Sequence, residues 1–536
     1  MSLPDPFPEV KVSEDYNPAI RLYGNRFFKD QTVLEYLSEF LAVIFSGKRI
    51  GDGQAFESPL PSLTDIRKWS FSTKTKLCYR PPIKLNLKLF AFLSCSRVDS
   101  RDEIHIAHYK KLVDKIENSI KTSNRNVEEI RDWLEDFLRC FQGVGFNRTW
   151  CAQTFYPVSA SLVTQETIWN KTVARNSNIK NWDSATKRFK KFYSTTRRIF
   201  LARGGELLYL QLCNVFATDQ TKVSSFAEIM NLGTEESDLA KLHHSLQDGL
   251  QKLNGNDMDA FNRLVDYIEL LDKDTHDQTN KESEYLTCEW CPRDSWQEAY
   301  LFAVEINRLL AASLDPVERL DLLMIGCSLQ VMRSLCAQSV RYAENFHPAG
   351  NGGMLGYAWI FSSSGLSSRQ QRITSHQNLL ANQGLIQKAL RHDALKENAD
   401  RHPDPKKTVE RLYREADDRY GHKLLLSLGK KLGIIAPRTG PGARFIMTDK
   451  VLRYMVLVLL KPGERCPYDE FQRRLYHHYG IAVEGEELTD AVLWSNLPAN
   501  SSMQPQDGSW LAEMLRAGAF LNELSDACSI VRNTFG

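Results

Sequence analysis

The sequence lacks the marks of most membrane and motor classes. Its most apolar stretch, residues 454–460, is far too short to span a bilayer, and no basic stub leads into a long apolar run at the N-terminus. A soluble, cytoplasmic chain with no membrane contact is therefore expected. No Walker A run ending in Gly-Lys-Ser/Thr occurs, so an ATP motor would have to be another subunit. Charge of one sign is not in excess either: 68 basic and 66 acidic side chains leave a formal +2, so attraction to nucleic acid has to come from local patches. The eleven cysteines are an odd number scattered through apparent helices, as in Gly326-Cys327-Ser328. Buried thiols in a reducing compartment are expected rather than disulfides, and the sequons at Asn147, Asn170 and Asn500 then carry no glycan.

What is present fits a large globular protein. At 536 residues the chain exceeds what one core usually organises, and 42% hydrophobic with 25% charged residues are ordinary values. Apolar residues at helical spacing predict helices over 33–45, 104–120, 127–141, 204–216, 235–253, 258–271, 296–312 and 316–342, the last opened by Asp315 and Pro316. Four prolines in the first 20 residues predict an extended arm over the surface or onto a partner. The expected division is an N-terminal arm and helical region (1–102), a helical domain with a basic segment (103–271), a polar linker (272–284), and a helical domain with a Gly-rich loop (285–405). A winged-helix-like domain (406–485) and an acidic helical tail (486–536) follow. The fold class is thus mainly α: a multidomain helical array with a C-terminal winged-helix-like α+β unit.

The winged-helix expectation rests on a helix over 424–432 ending at Gly433, then two short apolar runs flanking Thr439-Gly440-Pro441-Gly442-Ala443, then helices over 449–460 and 468–479. This arrangement resembles the winged helix-turn-helix class. Residues 421–480 hold eleven Lys or Arg against four Asp or Glu, whereas residues 481–536 hold two against eight. Lys430 and Lys431 at the helix end, with Arg438 and Arg444 at the base of the wing, are placed to reach phosphates. A basic unit of this kind also suits docking of an acidic partner, such as the chain's own tail.

A second basic segment, residues 180–203, interleaves Lys187, Arg188, Lys190, Lys191, Arg197 and Arg198 with Trp182, Phe189, Phe192 and Tyr193. Cations neutralise phosphates while aromatic faces stack unpaired bases, which suits single-stranded nucleic acid. The same aromatics at helical spacing also suit core contacts beneath a solvated basic face.

Signals for catalysis are thin. The glycine-rich run 350–356 follows a helix rather than a strand, and a flexible turn is expected. Cys288 and Cys291 have the spacing of a zinc half-site but no second close Cys/His pair. The pairs His243-His244 and His477-His478 are expected at the surface. His402, Asp404, Asp417 and Asp418 with Lys406, Lys407 and His422 have the residue types of a divergent metal-dependent nuclease, if the fold brings them together. No catalytic residue, metal or cofactor is assigned.

The cluster Asn147-Arg148-Thr149-Trp150-Cys151-Ala152-Gln153, the stretch Arg203-Gly204-Gly205-Glu206-Leu207-Leu208-Tyr209-Leu210-Gln211-Leu212 and the final module together resemble large accessory proteins of bacterial phage-defence operons. That resemblance implies a protein working beside a separately encoded ATPase, helicase or nuclease. Its implied role is to recognise DNA, single- or double-stranded, or to hold the complex together as a structural adaptor.

Overall fold

Thr32 and Glu35 form a reciprocal cap, each side chain bonded to the other's backbone N–H, and this starts helix α1 (Val33–Phe45) where the spacing predicts it. The computed structural model describes residues 2–12, 15–72, 75–81, 103–123, 125–141, 155–159, 162–163, 168–194, 203–253, 259–271, 285–365, 367–497, 509–524 and 529–535. The expected linker 272–284, the cluster 147–153, Arg197 and Arg198 lie outside them. The fold is mainly α, and the described strands are only two to four residues long.

Two hydrophobic cores organise the chain. The smaller one gathers Ile104, Leu112, Leu138, Trp182, Phe192 and Ile268, and includes helix α2 (Val127–Arg139). The larger runs from Phe7 to Val531, so apolar residues on both sides of positions 405 and 485 share it. Helix α3 (Gly204–Ala217) lies directly on α1. A Cβ at Gly205 would stand 2.4 Å from the Phe40 nitrogen, so only glycine permits this approach. Glu39 of α1 fills the start of α3, accepting from the backbone of Arg203 at 3.0 Å and Gly205 at 2.9 Å. The stretch 203–212 is therefore a packing device.

The proline-rich start is not a free arm. Pro6–Phe7 pairs antiparallel with Cys291–Pro292, Phe7 is fully buried edge-on to Trp69, and residues Pro18–Tyr23 form a helix with proline at its first turn. Proline in the first turn forfeits no helical hydrogen bond, and burying Phe7 holds the segment down.

Helices α4 (Trp296–Ala311) and α5 (Pro316–Tyr342) form the centre. Helix α5 is long and apolar enough to cross a membrane by composition, yet 89% of that window is buried inside the protein. Its buried side carries one charge among several polar groups. Arg333 is wholly buried and pairs with Glu305 of α4 at 2.5 Å, while its guanidinium sits 4.8 Å from the centre of the Tyr479 ring. Helix α6 (Arg369–Ala389) packs on α5, and α7 (His422–Leu432) packs on both. Helices α8 (Asp449–Leu459) and α9 (Tyr468–Tyr479) bring Tyr454 and His478 to the same carboxylate, at 2.9 and 2.6 Å.

Burial alone would raise the Glu305 pKa, but Arg333 and the His478 hydrogen bond outweigh it and hold the carboxyl at about 2. An ionised carboxylate only accepts, so His478 Nε2 carries the proton. Burial lowers the His478 pKa despite Glu305, with Arg333 and Arg308 adding to the effect. His478 is thus neutral when folded and takes up a proton when unfolded below pH ~6.5, so its contribution to stability is present at pH 7.5 and lost in acid. The melting temperature is expected to fall between pH 7.5 and 5.5, with a smaller drop in His478→Gln, which keeps a donor for Glu305 without titrating. An equal drop in both proteins rules out His478 as the source.

Candidate nucleic-acid interface

The turn-rich run after α7 folds as the predicted hairpin. Strands β1 (Ile435–Ala436) and β2 (Arg444–Phe445) pair antiparallel, with Arg444 opposite Ala436 and Phe445 opposite Ile435. Gly440 and Gly442, at φ +88° and +78°, form the exposed tip with open space around them. Side chains alternate along a strand, so anchoring Phe445 inward turns Arg444 outward. Phe445 is fully buried, stacked on Phe361 with ring centres 5.6 Å apart and tilted against Trp359 at the same distance. Its carbonyl accepts from Ser362 Oγ at 2.9 Å and Ser375 Oγ at 3.0 Å, and His376 Nδ1 lies 2.6 Å from the Ala443 carbonyl. The hairpin is therefore fixed against α6 and not free to swing.

This contact brings together charges that sequence order keeps apart. Burial first, and then the nearby Arg372 of α6, lower the Arg444 pKa. Arg444 Nε is buried without a hydrogen-bond partner, while Arg369, Arg372 and Arg438 are exposed. Neither partner in the contact supplies an acid: residues 345–392 and 419–448 contain no Asp or Glu. All but the first two residues of the second stretch fall within the basic segment recognised from sequence. The first stretch does not, and Arg369 and Arg372 were missed, although the absence of acids over 345–392 was there to be read.

The other expected contacts separate. Lys430 is half-buried at the end of α7. Lys431 Nζ donates to the carbonyls of Lys29 at 2.7 Å and Gln31 at 3.1 Å, and Ser427 Oγ reaches Lys29 O at 3.3 Å. Ser427 and Lys431 of α7 are thus tied to the chain's own residues 29–31. Lys187, Arg188 and Lys191 are exposed around the smaller core, and the side chain of Lys190 lies outside the described residues. Trp182 and Phe192 are buried there, Trp182 stacked on His108 at 3.5 Å, so neither presents a face to a base.

The residues weighed for catalysis are dispersed or occupied. Asp417 pairs with Arg391 at 2.6 Å and faces His422 at 3.4 Å, and Asp418 pairs with Lys423. His402 packs on Tyr16 at 4.9 Å, and Asp404 caps the Lys406 nitrogen at 2.9 Å. Cys288 and Cys291 are buried, and among the described residues no group of three His, Cys, Asp or Glu is placed to hold a metal ion. The glycine-rich run is a tightly packed turn rather than a flexible one. The Asn351 and Gly352 nitrogens both donate at 2.9 Å to the Asp490 carboxylate, and a Cβ on Gly350 would stand 2.1 Å from the Asp490 carbonyl. His478, expected at the surface, is instead buried against Glu305. Comparison with known proteins gives no match: no family model, no curated protein and no solved structure is similar to the chain.

Proposed function

We propose that this protein is a non-catalytic, cytoplasmic DNA-binding subunit that works beside a separately encoded ATPase, helicase or nuclease, in the manner of bacterial antiviral defence complexes. The observation that carries the reading is the acid-free contact between α6 and the hairpin, which sets Arg444 beside Arg372 with Arg369 and Arg438 exposed on the same two elements. Like charges held together cost free energy in the isolated protein, and a phosphate backbone relieves that cost. The aromatic rings of this region, Phe361, Phe445 and Trp359, are buried, so the surface offers charge without a stacking platform. That favours backbone contact with a duplex over capture of unpaired bases. The hairpin is the wing of the winged-helix reading, and it acts without Lys431 of α7, whose ammonium is held by the Lys29 and Gln31 carbonyls.

The test is binding of labelled duplex DNA in magnesium, with products checked on a gel. Wild type binds and leaves the DNA intact. Arg438→Ala/Arg444→Ala lowers affinity at least about tenfold, because each cation removed forfeits a charge-assisted phosphate contact. Lys431→Ala, whose ammonium is held by backbone carbonyls, leaves affinity unchanged. Equal binding by wild type and the double variant defeats the assignment of the face, and cleavage defeats the non-catalytic reading.

A further inference from the structure

Helix α6 buries polar as well as apolar side chains. Thr374, Ser375, Asn378 and Asn382 are buried alongside Leu379, Leu385 and Ile386. The reason is visible in their bonds: Asn378 pairs with the backbone on both sides of Trp359, accepting from Ile360 N at 2.8 Å and donating to Ala358 O at 3.0 Å, and Asn382 donates to Ala358 O at 2.9 Å. The outward side carries Ile373, 40% exposed, and Leu380, 50% exposed, followed by Gly384, beside which a Cβ would meet nothing within 4 Å. Positions 373, 377, 380 and 384 fall on one face of a helix. Among the described residues nothing accounts for a helical glycine there, a poorer helix former than alanine.

The same chain presents a helix of the opposite character. Helix α2 exposes Trp133, at 73%, on a face shared with Ile130 and Phe137. Acids rim that face, with Glu128, Glu129, Asp132 and Asp136 all exposed. Its two arginines are already paired, Arg131 with Glu117 and Asp132, and Arg139 with Glu135 and Asp136. Helix α6 has no acid along its length and carries Arg369 and Arg372 in its first turn.

We infer that helix α2 of one copy docks on the outward face of α6 of a second copy. Trp133 covers the Ile373–Leu380 surface, the open side of Gly384 lets the two helices approach, and the acids of α2 face Arg369 and Arg372. The two surfaces differ, so the contact is head-to-tail: it leaves an unused α2 at one end and an unused α6 at the other, and copies add in series unless the rotation closes a ring. This association needs no DNA, and because it engages Arg369 and Arg372 it competes with duplex binding.

Sedimentation velocity on the whole chain without DNA tests it. Wild type is expected to gain mass as concentration rises, and to lose that gain at high salt. Ile373→Glu/Leu380→Glu loses the acceptor face and Trp133→Glu loses the donor face, so each is monomeric alone. Mixed one to one, they are expected to form a pair that grows no further, since the mixture retains one intact face of each kind. That reconstitution also shows that both variants are folded. A wild type that stays monomeric at all concentrations, self-association that survives either variant, or a mixture that yields no pair overturns the inference.

Discussion

Arg333→Met is expected to destabilise the fold by roughly 3–5 kcal/mol, because it strands the Glu305 carboxylate, wholly buried, without its charged partner. Arg333 and Glu305 are both wholly buried, and the carboxylate keeps only Tyr454 and the neutral ring of His478 once the guanidinium is gone. The arginine does not fully satisfy itself in return: its Nε and one terminal nitrogen have no hydrogen-bond partner, and its charge rests on Glu305 and the Tyr479 face. Removing both charges, as in Glu305→Leu/Arg333→Met, is therefore expected to cost less than the sum of the two single changes. Urea midpoints of the four proteins measure that coupling. Strict additivity would mean that the pair, despite its 2.5 Å contact, does not hold α4 and α5 together.

The second large effect joins stability to function. Phe445→Ala is expected to cost about 3–5 kcal/mol, the usual range for emptying a buried aromatic site. The ring fills the space between Phe361 and Trp359, and it is also what fixes the outward direction of Arg444. Truncation should therefore loosen the hairpin before the whole protein unfolds, exposing the Gly440–Gly442 tip to proteases and lowering DNA affinity at a temperature where the helices remain intact. Limited proteolysis beside far-UV circular dichroism separates the two levels. Simultaneous loss of hairpin and helices would show that the hairpin has no stability of its own.

Helices were legible in the sequence wherever one face had to be apolar and a cap marked the start. Asp315 before Pro316 set the beginning of α5, and Pro467 set that of α9, at the residues where the structure places them. The hairpin followed from Gly440 and Gly442, whose positive φ the turn requires. Helix α6 was not legible, because Thr374, Asn378 and Asn382 interrupt the buried face that Leu379 and Ile386 mark, two of them bonding to backbone instead. The proline-rich start was misread for a related reason: prolines forbid helix in the interior but say nothing about whether Phe7 between them is buried. Charge counting found Arg438 and Arg444 but could not see that Lys431 reaches across the fold to Lys29 and Gln31. It also could not show that Arg372, far away in sequence, completes the basic face. Counts along a chain register neither partner, because ion pairing and charge clustering are set by tertiary contact.

The measurement that bears most directly on the account is duplex DNA affinity across a salt series for wild type and for Arg372→Ala/Arg438→Ala/Arg444→Ala. Each phosphate neutralised contributes about −0.9 to the slope of log K against log salt, so the triple variant is expected to bind more weakly with a slope shallower by about 2 to 3. A wild type with no affinity at low salt, or a triple variant with the same affinity and slope, would contradict a DNA contact by the hairpin and α6.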